Sequence, residues 1–358
     1  MIPRIRMPRS RFAALGAALS LGLLLSSCAQ NDESTSVGKD VSAKEIPAEV
    51  SPDTSLTVGS PELKVALELS GQIDELPFKV EWANISGGPK CSEAFRAGAL
   101  DVCSAADIPA INAHWTGLDT KLVATKFHKE PLKHPIYELG IAPGAGIRTL
   151  ADLRGKKIAY SPGQAQGALV LRILQKAGLT RDDVELVELA STDDVYPTAL
   201  GERQVHAAPI GGVNIKRYLT KYGKDGATTL QHGLRDDPEH LWALTDSVSD
   251  PQKSAAIREL VEIWARARVW IDEHPKEWIE GYYVKDQGLS HEDGEYLVER
   301  SGFSDIPADW SEAIERQQQT IDLLAKEQDR PRFEADILFD RRYESVAAKA
   351  VADEGKAS

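Results

Sequence analysis

The chain has 358 residues, with 42 Lys+Arg against 55 Asp+Glu and a formal net charge of −13 at pH 7. A hydrophobic fraction of 42% is enough for a buried core and excludes a disordered chain, while the acidic balance excludes a broad surface for nucleic acid or anionic membranes. The roughly 300 residues after the N-terminal region fit two lobes better than one.

The N-terminus sets the compartment. Arg4, Arg6, Arg9 and Arg11 form a basic region, residues 12–25 are apolar, and Leu25-Ser26-Ser27-Cys28 follow. This is the pattern of a secretory signal, with an apolar run too short for a transmembrane helix, which needs about 18 residues. The LSSC ending resembles the lipobox of bacterial lipoproteins. That resemblance implies removal of a signal peptide over residues 1–27, a diacylglycerol on the Cys28 sulfur, and export to the outer face of the cell membrane or the periplasm. The lipid is then the sole membrane contact, and two or three acyl chains make it durable. Residues 28–54 are polar and poor in large apolar side chains, so a tether is expected there.

The body opens with a short strand at 56–58, and Pro61 with Leu63, Ala66 and Leu67 at helical spacing starts a helix. Residues 78–82 (FKVEW) read as a strand; a Gly-Pro turn and a helix ending at Gly98 follow. LDVCS is the next strand, DIPAINAHW the next helix, and 121–127 a strand again. This alternation argues for a mostly parallel sheet. Residues 136–144 look like a strand that leaves the unit, after which the rhythm restarts: the strand KKIAY, an amphipathic helix ending at Gly178, a strand at 184–189, and a small-residue turn closing 205–212. Residues 240–247 (HLWALTDS) read as extended and returning. From Pro251 the chain is helical, with Ile257, Leu260, Val261, Trp264, Ala267 and Val269 forming an apolar stripe, and further helices starting at Pro275, Ser290 and Asp309. The expected division is 55–142 plus 241–350 for the first lobe and 143–240 for the second.

In such lobes ligands bind outside the carboxyl ends of the strands, where helix N-termini offer free N–H groups and a favourable dipole for anions. Five turns qualify. The first holds Ser60; the second holds Ser86, Gly87, Gly88 and Lys90, with glycines for close backbone approach and a lysine for charge. The third holds Ala106 and Asp107, the aspartate suited to capping the helix or to a ligand amine. The fourth holds Ser161, Gly163, Gln164, Ala165 and Gln166, whose amides both donate and accept. The fifth follows Gly211 and Gly212 into Val213 and Asn214. Trp82 and Trp115 are core candidates that would also suit an organic tail. His128 and His134, six apart with no cysteine or acid at ligand spacing, make no metal site. No GxSxG, HExxH or GxxxxGK[ST] occurs, so hydrolase, metalloprotease and P-loop readings lack their motifs.

Residues 87–110 (GGPKCSEAFRAGALDVCSAADIPA) and 147–189, above all ADLRGKKIA and AGLTRDDVELV, resemble the substrate-binding proteins of ABC importers for aliphatic sulfonates, taurine, nitrate and related small molecules. The resemblance implies an α/β type II periplasmic binding protein: two lobes, each a mostly parallel sheet flanked by helices, joined by two crossing strands. It further implies a monomer that holds a small-molecule ligand in its cleft, closes by hinge motion and delivers to an ABC permease and its ATPase. No cofactor, catalysis or nucleic acid is involved. The rival is an enzyme on the same fold, such as a sulfinate desulfinase or a pyrimidine-precursor synthase, with Cys91 near a helix N-terminus and Lys90 as its nucleophile. With Cys28 assigned to lipid, Cys91 and Cys103 are left in an oxidising compartment. A disulfide between them is expected, stabilising by roughly 3 kcal/mol through loop closure; two buried thiols are the alternative.

Overall fold

The structure, a computed structural model, describes residues 45–192 and 194–357. The signal segment, Cys28 and the first part of the expected tether lie outside the described residues. The chain builds β1 (Ser55–Gly59), α1 (Pro61–Ser70), β2 (Lys79–Trp82), α2 (Gly88–Arg96), β3 (Val102–Ala106), α3 (Asp107–Trp115) and β4 (Thr120–His128). It then crosses into β5 (Tyr137–Ile141), β6 (Lys157–Tyr160), α4 (Ala165–Lys176), β7 (Glu185–Glu188), α5 (Val195–Gly201), β8 (Ala207–Gly211), α6 (Val213–Tyr222) and β9 (Thr228–Leu230). It returns through β10 (Glu239–Leu244) and ends in α7 (Thr245–Ser249), α8 (Pro251–Glu273), α9 (Pro275–Trp278) running into a π-helical stretch (Ile279–Asp286), α10 (His291–Ser301), β11 (Ser304–Asp305), α11 (Ser311–Gln328) and α12 (Val346–Ala357).

Two sheets result, ordered β11-β4-β10-β3-β1-β2 and β7-β6-β8-β5-β9. β1 is parallel to β2 and β3, and β6 to β7 and β8, as the strand–helix alternation predicts. The two crossing strands are each inserted antiparallel inside a sheet, β10 between β3 and β4, and β5 between β8 and β9. Both sheets are therefore mixed. The insertion has a structural consequence: an antiparallel strand begins where its parallel neighbours end, so Tyr137 stands opposite Gly211 and Glu239 opposite Ala106. Residues at the starts of β5 and β10 thus join the turns that begin the helices.

The apolar stripes bury as their spacing requires. Leu63, Ala66 and Leu67 of α1, and Ile257, Leu260, Val261, Trp264 and Ala267 of α8, are essentially inaccessible to water. Past Ala267 the buried position passes to Arg268, and Val269 is only half-buried. Residues 245–247, read as extended from their sequence, instead begin the helical turn α7, where Ser249 Oγ donates to the Thr245 carbonyl at 2.6 Å.

The end of the expected tether is also held. Ile46 and Val50 are partly buried against the core, Arg258 of α8 donates to the carbonyls of Pro47 and Ala48 at 2.7 and 2.8 Å, and the Ser51 N–H donates to Gln252 Oε1 at 2.8 Å. Two apolar side chains four residues apart and one guanidinium suffice to dock a segment whose composition alone reads as free. Among the described residues, no helix is long and apolar enough to cross a membrane.

Candidate functional site

Each strand-to-helix turn has a different fate. Ser60 precedes α1, is buried, and accepts from Ser104 Oγ at 2.8 Å, so its hydroxyl ties β1 to β3. Ser86, Gly87 and Lys90 are exposed at the start of α2, and Gly87 has a φ of +83°. Gly88 is required by proximity: a Cβ there would lie 2.1 Å from Pro109 Cγ, so the N-terminal turns of α2 and α3 touch. Ala106 flanks the start of α3. Asp107 is the first residue of that helix and is buried, with its carboxylate accepting from Thr320 Oγ1 at 3.1 Å and facing Arg172 at 3.6 Å. It faces inward to protein partners and does not cap its helix with a side-chain hydrogen bond.

In the second sheet, β6 ends at Tyr160 and the chain turns through buried Ser161 and exposed Gly163 to Gln164, which flanks α4. Gln164 Oε1 accepts from Ser191 Oγ, while Ala165 and Gln166 occupy the first turn of α4. A Cβ on Gly167 would sit 2.0 Å from the Ser161 carbonyl oxygen, so the helix start is pressed onto that turn. At the end of β8, Gly211 leaves room for Tyr137, whose Cδ1 would be 2.8 Å from an added Cβ, and Gly212 takes a φ of +57° to open α6.

These elements surround a cavity of about 280 Å³ lined by Tyr137, Gln166, Ser191, Tyr196, Gly211 and Asn214, with Ile136, Pro197, Pro209, Ile210 and Gly212. Of the residues expected at a site, Gln166, Gly211, Gly212 and Asn214 line it directly. The structure adds Tyr137, Ser191 and Tyr196. Among the described residues, no ionisable acid or base other than the two phenols contributes to its wall. The Tyr196 hydroxyl is buried and, among the described residues, has no partner at hydrogen-bonding geometry, although Ser161 and Ser191 stand beside it; burial pushes its ionisation above the ordinary phenol range. Tyr137 is shifted the same way, by burial first and then by the carboxylates of Asp236 and Asp107. Both phenols therefore remain neutral donors at any physiological pH. A hydroxyl-rich run after β7 (Ser191, Thr192) followed by Tyr196 is the only local signal that sequence offers for this wall.

The remaining expectations resolve simply. Trp82 is half-buried against the core; Trp115 donates its indole N–H to the Pro331 carbonyl at 2.8 Å and meets the Phe333 ring edge-on, so it packs the scaffold. His128 Nδ1 lies 3.4 Å from the His134 carbonyl, and among the described residues no group of three or more His, Cys, Asp or Glu could hold a metal ion. Cys91 and Cys103 form a disulfide with a Cα separation of 6.2 Å, both side chains fully buried. A sulfur engaged in a disulfide is not a thiolate, so the rival enzyme reading loses its nucleophile. A larger groove, about 740 Å³, runs between α4 and α11 and carries both signs of charge over a leucine floor.

Comparison with known proteins agrees with this architecture. A protein named "Putative aliphatic sulfonates-binding protein" from Escherichia coli (strain K12) is 33% identical over 204 residues, 53% of this chain and 62% of that relative's length. The crystal structure of the periplasmic aliphatic sulphonate binding protein SsuA from Escherichia coli superposes with a TM-score of 0.68 at 22% identity, over 80% of this chain and 92% of that one. The alkanesulfonate-binding protein SsuA from Xanthomonas axonopodis pv. citri, bound to MOPS, gives 0.63 at 22% identity, over 86% and 99%. These structural likenesses speak for the fold. A family model described as NMT1/THI5 like matches residues 79–277, more than half of the sequence, and the chain accordingly belongs to the NMT1/THI5-like family, on a two-lobed periplasmic binding protein fold.

Proposed function

We propose that this chain is an exported solute-binding protein that captures a small organic monoanion, with an aliphatic sulfonate as the first choice, and delivers it to an ABC permease and its ATPase without chemical change. The observation that carries the reading is the wall of the 280 Å³ cavity: among the described residues its polar groups are all neutral, with the buried Tyr196 hydroxyl beside the first turn of α4. A sulfonate spreads one charge over three oxygens, which amide, hydroxyl and helix N-terminal N–H donors satisfy without a cation. That wall by itself offers no counter-charge to a sulfate or phosphate dianion, so a monoanion suits it better. Ser60, Ser86, Gly87, Gly88, Lys90 and Ala106 belong to the facing turns that closure about β5 and β10 would bring to the solute. Export, with the Cys28 lipid as the only membrane contact, completes the role.

The test is calorimetry and thermal unfolding of the mature chain carrying Cys28→Ser, titrated with ethanesulfonate, hexanesulfonate, taurine, nitrate and sulfate. A bound sulfonate at 100 times its Kd stabilises by about 2.7 kcal/mol. Tyr196→Phe and Gln166→Ala are each expected to weaken it about tenfold. Absence of binding by every sulfonate, or tighter binding of sulfate, refutes the assignment.

A further inference from the structure

The helix α11 touches both families of turns described above. At its middle, Gln317 Nε2 donates to the Asp107 carbonyl at 2.9 Å and Thr320 Oγ1 donates to Asp107 Oδ2 at 3.1 Å, both at the start of α3. At its end, Gln328 Nε2 donates to the Pro162 carbonyl at 3.2 Å, inside the turn that opens α4. The two attachment points are about 16 Å apart along the helix. Arg172, two turns into α4, completes the connection: it donates to Thr320 Oγ1 and faces Asp107 Oδ2 at 3.6 Å. Asp107 and Thr320 are buried at 6% and 0% exposure, and the Arg172 side chain is 20% exposed. A guanidinium from the second lobe is therefore inserted into a buried carboxylate of the first, with a hydroxyl between them.

We propose that Arg172, Asp107 and Thr320 form an interlobe clasp that fixes the spacing of the two solute-facing turns, so that solute affinity depends on three residues that do not touch the solute. The affinity part rests on the function proposed above; the spacing part does not. Both approaches are made by Nη2 of the guanidinium, whose fixed plane and delocalised charge a lysine ammonium, a single point charge, reproduces only in part. Loss of the guanidinium removes the cation 3.6 Å from buried Asp107 and leaves only the longer-range charge of Arg316, which favours separations of the lobes that hydrate the carboxylate.

The experiment uses the mature Cys28→Ser chain with its disulfide intact and spin labels on Glu68→Cys of α1 and Lys224→Cys beyond α6, both exposed positions. Double electron–electron resonance then reads the ligand-free lobe separation. Arg172→Met is expected to broaden and lengthen that distribution and to weaken ethanesulfonate binding about tenfold, equivalent to about 1.4 kcal/mol. Arg172→Lys should restore part of both, which a general loss of stability would not do. Thr320→Val gives the same direction with an isosteric side chain and serves if Arg172→Met does not fold. Distance distributions identical to the parent in Arg172→Met and Thr320→Val overturn the clasp. If the parent chain binds no sulfonate, the proposed function fails while the distances still decide the clasp.

Discussion

Replacing Arg268 with Met should destabilise the protein by about 3 kcal/mol at pH 7. The Arg268 side chain is 4% exposed; its Nη1 donates to Glu62 Oε1 at 2.6 Å, its Nη2 to Glu239 Oε1, and the guanidinium carbon lies 5.6 Å from the Trp264 ring centroid. It thereby ties α8 to the first turn of α1 and to the start of β10. Removing one partner of a buried pair costs about 3–5 kcal/mol. The low end applies here, because Glu62 is 39% exposed and rehydrates, and Glu239 retains Lys126 at 3.1 Å. At roughly 2 °C per kcal/mol for a chain of this size, Tm falls by about 6 °C. Burial alone would raise the Glu239 ionisation; Arg268 and then Lys126 outweigh it and hold the carboxyl below the usual range. Stabilisation from a depressed carboxylate is present above its unfolded value, about 4.3, and disappears as pH falls through the folded one. Urea unfolding of both proteins at pH 7 and pH 3 should therefore show the gap at pH 7 and a smaller gap at pH 3. A difference under about 1 kcal/mol at pH 7, or one that does not shrink in acid, would refute the argument.

Other positions make independent demands. His240 is inaccessible to water in β10, and burial lowers its ionisation to about 4. Because the unfolded imidazole ionises near 6.5, stability is complete above that pH and falls by about 3 kcal/mol as pH drops toward 4; His240→Leu should flatten this segment of the denaturation profile. Reduction of the Cys91–Cys103 disulfide, which closes a loop with a sequence separation of 12, should cost about 3 kcal/mol, read as a lower urea midpoint in reductant that Cys91→Ala/Cys103→Ala lacks. Gly167→Ala places a Cβ 2.0 Å from the Ser161 carbonyl, so α4 must shift; about 1–3 kcal/mol is expected in thermal unfolding, with weaker solute binding by calorimetry.

Whereas α5, α7 and β9 were not legible from residue type and spacing, the alternation of strands and helices through β1–β4 and β6–β7, the stripe of α8 up to Ala267, and the helix-opening turns at Ser60, Ser161 and Gly212 were. Each rests on interactions within a few residues: alternation across a strand, a 3.6-residue period, a glycine where φ is positive. Cys91 and Cys103 were also within reach, because three cysteines, one of them expected to carry lipid after an expected export signal, leave few pairings. What sequence left open depended on distant partners. Tyr137 and Glu239 reach the turns only because β5 and β10 insert antiparallel, a register that no local pattern encodes. Arg268 continues a stripe of apolar positions, and only the carboxylates of Glu62 and Glu239 make its burial tolerable. Asp107 likewise looks like an ordinary helix start until Thr320 and Arg172, 213 and 65 positions away, arrive beside it. The sequence by itself determined the elements and the kind of turn at which a solute could be held, since those follow from short-range sterics and hydrogen bonding. The tertiary structure alone decided which turns share a cavity, which charges are paired and which helix links the lobes, because those depend on long-range packing that brings together residues with no relation along the chain.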